Sequence, residues 1–210
     1  MTRAPVDDAV EALARGRLVV LPTDTVYGIA ARPDVPGALD RVFDAKARPR
    51  SLTLPVLVHD LATARSVAVF DHLAARAADA WWPGAVTLVL PRSPLSRAWQ
   101  LGDEHGTVGV RIPDEPLALE VLRRTGPLAV TSANRSGVPP AATCDELVAV
   151  FGDAVDVYLC RDAPLVGTAS SVVDLTSSPP RIVREGALAS EAFRRFMEGR
   201  DPLLDSGPLR

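Results

Sequence analysis

The sequence contains few of the residue types on which many protein classes depend. Its 210 residues include only two cysteines, three histidines and 5% aromatic residues. Cys144 and Cys160 do not form a CxxC pair and have no histidine at zinc spacing, so neither a disulfide framework nor a structural metal site is indicated. This pattern is typical of a protein of the reducing cytoplasm.

The chain also lacks a dominant charge and a long apolar run. It has 23 Lys and Arg residues against 26 Asp and Glu residues, for a net charge of -3. A protein that coats nucleic acid is therefore disfavoured, although a local basic site can exist within that balance. The N-terminal segment combines acidic residues with a short apolar run, which fits neither a signal peptide nor a membrane span. We expect a cytoplasmic protein without a membrane partner.

The common catalytic signatures are absent. There is no Walker loop, GxGxxG, HExxH or GxSxG sequence. The histidines His59, His72 and His105 are scattered, and we interpret all three as surface or structural residues. Any chemistry must therefore come from several loops that carry hydroxyl groups and cations.

Apolar segments of helical and strand period alternate along the chain, which predicts one α/β domain. Helices are predicted over residues 6–14, 36–45, 73–81 and 190–198. Strands are predicted over residues 18–21, 54–58, 85–90, 107–112, 128–131, 155–159, 171–175 and 182–183. Thr143 and Glu146 form a capping box for a further helix, and Asp114 is expected to cap a helix that begins with Glu115 and Pro116.

Two clusters of hydroxyl and amide side chains follow predicted buried strands. The segment PTDTVYG places Thr23, Thr25 and Tyr27 after the strand at 18–21, where α/β proteins usually have ligand-binding loops. The alternative is a capped turn, because Thr and Asp are common turn residues. The segment TSANRSG adds Ser132 and Asn134, which suit the phosphates and sugar of a nucleotide but also suit a helix cap.

Two cations precede Pro49. Proline disfavours a helical residue before it, so the helix should end near residue 45 and leave Lys46 and Arg48 in an extended segment. Alternate residues of an extended segment project to one face. Two cations on one face would suit a triphosphate ligand. The alternatives are that they complement the dipole of a helix C-terminus or are solvated.

The segment GTVGVRIP is predicted to be a strand with two different faces. Strand alternation places Val108, Val110 and Ile112 on the core side. It places Thr107, Gly109 and Arg111 on the opposite side. Gly109 would leave room for a ligand near the backbone, and Arg111 would clamp a carboxylate. A structural ion pair is the alternative for Arg111. Ser170 lies at the start of a predicted strand, and Arg184 lies at the end of another. We interpret the segment WWPGAVTLVLPRS as structural.

The ordered motifs PTDTVYG, KARP, WPGAVTLVL, TVGVRIP, TSANRSG, SSVVD and IVREGA resemble the YrdC-like threonylcarbamoyl-AMP synthases from about residue 17 to 187. The resemblance implies an α/β domain with a twisted mixed sheet, flanked by helices, around a deep cationic cavity. It assigns residues 1–188 to the catalytic domain and residues 189–210 to a C-terminal helix and a flexible tail. Some relatives carry an additional C-terminal domain, for which the last residues leave no room.

In this family L-threonine, bicarbonate and ATP give threonylcarbamoyl-AMP and pyrophosphate. By position, the resemblance assigns L-threonine binding to Thr23, Arg111 and Ser170. It assigns ATP binding to Lys46, Arg48, Thr107, Ser132, Asn134 and Arg184, with Lys46 and Arg48 as the catalytic pair. Magnesium is expected to arrive with the nucleotide, without a metal site on the protein. The product would pass to a separate transferase that modifies tRNA.

The chain departs from the family pattern at several positions. Thr53 replaces a usual Pro, Ser171 replaces Thr, Asp24 stands where Glu is frequent, and Leu57 stands where some relatives have a threonine-contacting His. Residues 160–162 read Cys-Arg-Asp where Asp-Gly-Gly is usual. These departures concern contacts to threonine and not the reaction. The alternatives are a carbamoyl-adenylate-forming domain of the hydrogenase-maturation type and a non-catalytic, weakly RNA-binding module.

Overall fold

The computed structural model describes residues 6–102, 106–135, 137–165 and 167–200. The expectations for His105 and for a flexible tail after residue 200 lie outside these residues. The helices are α1 Val6–Ala14, α2 Ala38–Lys46, α3 Leu61–Val67, α4 His72–Trp81, α5 Pro94–Arg97, α6 Pro116–Thr125, α7 Cys144–Phe151 and α8 Ser190–Met197. The strands are β1 Val19–Leu21, β2 Gly28–Ala31, β3 Val56–Leu57, β4 Val86–Pro91, β5 Thr107–Arg111, β6 Leu128–Ser132, β7 Val157–Tyr158, β8 Ser171–Asp174 and β9 Arg181–Arg184.

All nine strands form one mixed sheet in the order β7-β1-β2-β6-β3-β5-β4-β8-β9. Strands β1 and β7, β3 and β5, and β4 and β8 are parallel, and the remaining neighbours are antiparallel. The predicted α/β fold with a mixed sheet is confirmed. Strand β2 and helices α3 and α5 were not predicted.

Strand alternation divides the core between the two faces of the sheet. On β1, Val20 faces the larger apolar cluster, whereas Val19 and Leu21 face a smaller cluster that includes residues of α1 and α6. Helices α1 and α6 pack against each other on that second face. Because both faces are covered, the sheet is a rigid frame for the loops at its strand ends.

Two predictions about helix termini have different outcomes. The capping box is confirmed, since the Thr143 hydroxyl accepts from the Glu146 amide and the Glu146 carboxylate accepts from the Thr143 amide. The predicted Asp114 cap is wrong. Glu115 is the N-cap of α6 and accepts from the Leu117 amide, because the helix begins one residue later, at Pro116.

The structure contains a disulfide, which the sequence did not indicate. Cys144 and Cys160 form a disulfide, with their Cα atoms 5.7 Å apart. Cys144 is the first residue of α7 and Cys160 follows β7, and a hydrogen bond from the Leu165 amide to the Ala142 carbonyl holds the two segments together. Sequence spacing did not show this pairing, because the tertiary fold brings the two residues into contact.

The C-terminal helix α8 packs on the domain. Phe196 is buried, and its ring centroid lies 4.5 Å from that of Trp81 on α4. None of the helices within the described residues combines the length and the apolar content that crossing a membrane requires.

Candidate active site

A cavity of about 410 Å³ opens on the sheet where the loops after β1, before β3 and before β8 meet. Strands β2 to β6, β8 and β9 all contribute to its wall. The wall is mixed: apolar strand residues form its floor, and hydroxyl groups and guanidinium groups surround it. Its polar residues include Thr23, Thr25, Arg48, Thr53, Thr87, Thr107, Arg111, Thr131, Ser132, Ser170 and Arg184.

Of the nine residues that the family resemblance assigns to the two substrates, seven line this cavity: Thr23, Arg48, Thr107, Arg111, Ser132, Ser170 and Arg184. They come from segments as far apart as residues 23 and 184, so only the fold brings them together. Lys46 and Asn134 are not part of the cavity wall. Both lie directly behind Ser132, as described below.

Thr23 forms the turn considered from the sequence and also faces the candidate site. Its hydroxyl donates to the Val26 carbonyl at 2.6 Å and accepts from the Thr25 and Val26 amides at 3.2 Å, which closes the turn after β1. The same side chain lines the cavity. The turn and the candidate ligand loop are therefore one structure.

Arg111 reaches the cavity from the end of β5 and is only 5% exposed. Its Nε donates to the Gly84 carbonyl at 2.9 Å, Nη1 donates to the Thr25 hydroxyl at 3.0 Å, and Nη2 donates to the Asp24 carboxylate at 2.5 Å. Burial lowers the pKa of Arg111, and Asp24 opposes that shift. A guanidinium has five N–H donors, so two remain for a ligand. The ion-pair alternative and the ligand-binding prediction therefore do not exclude each other.

Ser170 and Arg184 are in contact in the cavity wall. Arg184 donates from Nη2 to the Ser170 hydroxyl at 2.9 Å and to the Ser170 carbonyl at 2.8 Å. The residues that the sequence assigned to different substrates are thus in direct contact. Partial burial lowers the pKa of Arg184.

Lys46 is buried at the C-terminus of α2. Its ammonium donates to the Ser132 carbonyl and, at 2.6 Å, to the Asn134 carbonyl. The Ser132 hydroxyl in turn donates to the Asn134 side-chain oxygen at 2.5 Å. Burial, and secondly the nearby charge of Arg48, lower the pKa of Lys46 to about 8. Lys46 therefore stabilises the 132–134 loop through two backbone carbonyls, and it does not itself line the cavity.

The prediction that Lys46 and Arg48 share one face of an extended segment is wrong. Lys46 is still helical, and Ala47 takes a left-handed conformation with φ 47° that ends the helix. Arg48 turns towards the cavity, and its guanidinium donates to the carbonyls of Leu52 and Thr53. Burial lowers the pKa of Arg48, and the charge of Arg184 adds to this shift. Both arginines line the cavity, and the charge of one is felt by the other.

Alternation along β5 is confirmed, since Val108, Val110 and Ile112 are buried in the larger apolar cluster. Gly109 lines the cavity, and it also lies close to side chains of two neighbouring segments. A Cβ at this position would lie 3.0 Å from the Thr87 methyl carbon and 3.4 Å from Cβ of Pro55. The glycine therefore leaves room for these two side chains.

Several contacts at or beside the cavity were not identified from the sequence. Thr87 lies in a segment interpreted as purely structural, and Asp24 had no partner assigned. Tyr27 is fully buried, and its hydroxyl accepts a hydrogen bond from the Arg161 amide at 3.0 Å. This bond joins the segment after β7 to the cavity wall. Gly167 also approaches this loop, because a Cβ there would lie 1.8 Å from the Thr25 carbonyl oxygen. These contacts join residues more than 80 positions apart in the chain, and local pattern cannot reveal them.

The positions that depart from the family pattern have different locations. Thr53 and Leu57 line the cavity, and Asp24 pairs with Arg111. Ser171 lies outside the wall, where its hydroxyl accepts from the Leu188 amide at 2.9 Å. His59 lies beside Asp60, at 3.2 Å, and not in the cavity wall, in agreement with a structural role. Within the described part of the chain, no group of three or more His, Cys, Asp or Glu residues is arranged to hold a metal ion.

Comparison with known proteins identifies the family. Residues 11–186 match the Sua5_yciO_yrdC family model, which is described as Telomere recombination. The chain belongs to the Sua5/YciO/YrdC family. A protein of Mycobacterium tuberculosis is 42% identical over 190 residues, which are 90% of this chain and 87% of that protein. A protein of Bacillus subtilis named threonylcarbamoyl-AMP synthase is 32% identical over 89% of this chain and 54% of its own length.

Solved structures of this family have the same fold. P. abyssi Sua5, crystallised with L-threonine, matches 90% of this chain with a TM-score of 0.82 and 30% identity, and the match covers 56% of Sua5. E. coli YciO matches 88% of this chain and 92% of its own length, with a TM-score of 0.79 and 26% identity. This Sua5/YciO/YrdC chain thus spans about half the length of Sua5 and nearly all of YciO.

Proposed function

We propose that this chain is an L-threonylcarbamoyladenylate synthase. The observation that carries the proposal is the convergence of Arg48, Arg111 and Arg184 with the hydroxyl groups of Thr23 and Ser170 around one cavity. Relatives named threonylcarbamoyl-AMP synthase support it, as does a family structure that contains L-threonine. Three arginines line the cavity, and guanidinium groups suit a carboxylate and a triphosphate.

Within this proposal, L-threonine occupies the part of the cavity formed by Thr23, Arg111 and Ser170. Arg111 retains two N–H donors after its three internal hydrogen bonds, and these would grip the substrate carboxylate. ATP occupies the part formed by Arg48, Thr107, Ser132 and Arg184, with Lys46 and Asn134 shaping the loop behind it. Contact between Ser170 and Arg184 would keep the two substrates adjacent.

The proposed reaction has two bond-forming steps. The threonine amine adds to bicarbonate and loses water, which gives a carbamate. A carbamate oxygen then bonds to the α-phosphorus of ATP, and the bond from that phosphorus to the bridging oxygen breaks, so that pyrophosphate leaves. No protein nucleophile is needed, because positioning and charge neutralisation by the arginines supply the catalysis.

We propose that magnesium arrives with ATP, coordinated by phosphate oxygens and water. Phosphate-bound Mg²⁺ normally keeps several waters and needs few protein ligands. The cavity wall offers guanidinium and hydroxyl groups, which suit the phosphates better than the cation. The bound cation would supply further neutralisation of charge on the leaving pyrophosphate.

We further propose that the product passes to a separate transferase that modifies tRNA, and that the enzyme acts in the cytoplasm, where its substrates are found. A disulfide is uncommon in that compartment. The Cys144–Cys160 bond has no part in the proposed reaction. Weak RNA binding would appear as an affinity that falls with salt.

Identification of the product tests this function. The protein is incubated with ATP, L-threonine and bicarbonate, and the adenylate is identified by its mass. A carbamoyl-adenylate formed from carbamoyl phosphate and ATP would support the hydrogenase-maturation alternative. A structure of full-length HypF in a phosphate- and nucleotide-bound form matches this fold at 18% identity, which supports the fold alone. Absence of any adenylate, together with salt-dependent RNA binding, would support the RNA-binding alternative.

A further inference from the structure

Three polar side chains form a continuous hydrogen-bonded chain along the cavity wall. Arg184 donates to the Ser170 hydroxyl at 2.9 Å, and the Ser170 oxygen lies 3.0 Å from the hydroxyl oxygen of Thr87. Ser170 and Thr87 are 6% and 5% exposed. Thr87 lies on β4, which pairs in parallel with β8 directly after Ser170. The proposed function gives Thr87 no role.

The orientation of the Thr87 hydroxyl follows from its packing. The Thr87 methyl carbon lies over Gly109 of β5, close enough that a Cβ at 109 would be 3.0 Å away. A β-branched side chain has few χ1 rotamers, so placing the methyl group also places the hydroxyl group. With its methyl over β5, Thr87 has its hydroxyl beside Ser170. Gly109 therefore contributes to the site through Thr87.

Either hydroxyl can donate in the hydrogen bond between Thr87 and Ser170, and a carboxylate ligand at Ser170 would favour one of the two directions. A serine hydroxyl has one hydrogen and two acceptor lone pairs, and Arg184 uses one lone pair of Ser170. If Ser170 donated to Thr87, it would present only a lone pair to the cavity. An ionised carboxylate is also an acceptor only, so the two would repel. If Thr87 donates instead, both lone pairs of Ser170 are used and its hydrogen is available to the ligand.

We propose that Thr87 is a positioning residue for the amino-acid substrate: it donates to Ser170 and thereby directs the Ser170 hydrogen to the substrate carboxylate. This inference rests on the proposed function, because it takes Ser170 as part of the L-threonine subsite. Thr87 itself need not touch the substrate. Its effect on ATP should be small, because Arg184 keeps both of its bonds to the Ser170 carbonyl.

The test compares Thr87→Val, which keeps the branched shape and loses the donor, with Thr87→Ser, which keeps the donor. Dissociation constants for L-threonine and for ATP are measured by calorimetric titration, and KM for each substrate is measured by pyrophosphate release. Thr87→Val should raise the dissociation constant for L-threonine about threefold to tenfold, as expected for one lost hydrogen bond. The dissociation constant for ATP should change by less than about twofold. Thr87→Ser should restore most of the threonine affinity.

Thr125→Val is the matched control, since the Thr125 hydroxyl donates to the Val121 carbonyl on α6, away from the cavity. It should leave both affinities unchanged. Unchanged threonine affinity in a folded Thr87→Val protein, or an equal loss for threonine and ATP, would overturn the role of Thr87. Failure of Thr87→Ser to restore binding would also overturn it, because packing and not the donor would then be responsible.

The titrations separate this inference from the proposed function. If the unsubstituted protein binds L-threonine but releases no pyrophosphate, the synthase proposal fails, and the binding data still test Thr87. If the unsubstituted protein does not bind L-threonine in the presence or absence of ATP, the positioning role is also contradicted.

Discussion

The guanidinium of Arg111 lies 2.5 Å from the carboxylate of Asp24, and the two side chains are only 6% and 14% exposed. Asp24 belongs to the loop after β1, and Arg111 ends β5 on a distant strand of the same sheet. Because Thr25 and the Gly84 carbonyl also accept from Arg111, its orientation is fixed before any ligand binds. An arginine held in this way is preorganised for a carboxylate ligand.

Substitution of Arg111 by lysine should impair threonine use specifically. A lysine ammonium is a single nitrogen, so it cannot replace the three guanidinium nitrogens that bind the internal acceptors and also present two parallel donors to a carboxylate. We expect Arg111→Lys to raise KM for L-threonine by about tenfold or more, which is at least about 1.4 kcal/mol, with little change in KM for ATP. Pyrophosphate release at varied concentrations of each substrate measures both.

The control for this substitution is Arg17→Lys, at an exposed arginine that pairs with Asp156 outside the cavity. It should leave both KM values unchanged. An equal rise for the two substrates in Arg111→Lys, or normal threonine use with reduced stability, would exclude Arg111 from the threonine subsite.

Much of the fold could be predicted from local pattern, because strands such as 107–112 and helices such as 6–14 show clear periods of two or 3.6 residues. Strand β2 could not, since GIAA is short and follows a turn-rich segment, and its burial depends on both neighbouring strands. The Cys144–Cys160 disulfide and the Asp24–Arg111 ion pair could not be predicted from the sequence either. Their partners are brought together by strand order, which the sequence does not display.

The candidate site shows the same division. Thr23, Arg111 and Ser170 could be singled out because each lies on or beside a predicted strand and matches a motif of the family, and loops at strand termini often bind ligands. The arrangement of Lys46 could not be predicted, since it depends on the left-handed Ala47 and on the carbonyls of the 132–134 loop. Thr87 gave no signal, because one threonine in an apolar strand is an ordinary β residue.

The buried ammonium of Lys46 should make stability depend on pH. Its pKa is lowered to about 8 in the folded protein, whereas an unfolded lysine titrates near 10.4. Below about pH 8 both states are protonated, and the folded state carries the full cost of the buried charge. Between about pH 8 and pH 10.4 the unfolded state binds more protons, so this contribution to the free energy of unfolding rises with pH.

Urea denaturation at pH 7.5, 8.5 and 9.5 tests this expectation against the Lys46→Met variant, which lacks the titrating group. The stability of the unsubstituted protein relative to Lys46→Met should increase over this range. A difference that stays constant, or that decreases with pH, would contradict the lowered pKa.

Reduction of the Cys144–Cys160 disulfide should destabilise the protein. The bond joins residues 16 positions apart, and the loss of loop-closure entropy in the unfolded chain predicts a stabilisation of about 3 kcal/mol for a loop of this size. Urea denaturation with and without reductant measures the effect. The double variant Cys144→Ser, Cys160→Ser is the control and should be insensitive to reductant. Two reactive thiols in the untreated, unfolded protein would contradict the disulfide.

Pyrophosphate release from ATP tests the proposed synthase activity most directly. Four reactions are compared: ATP alone, ATP with L-threonine, ATP with bicarbonate, and ATP with both, the first two in buffer freed of carbon dioxide. The proposed reaction forms a carbamate before attack on the α-phosphorus, so pyrophosphate should appear only in the fourth reaction. Release that does not depend on L-threonine, or no release in the fourth reaction, would contradict the proposed function.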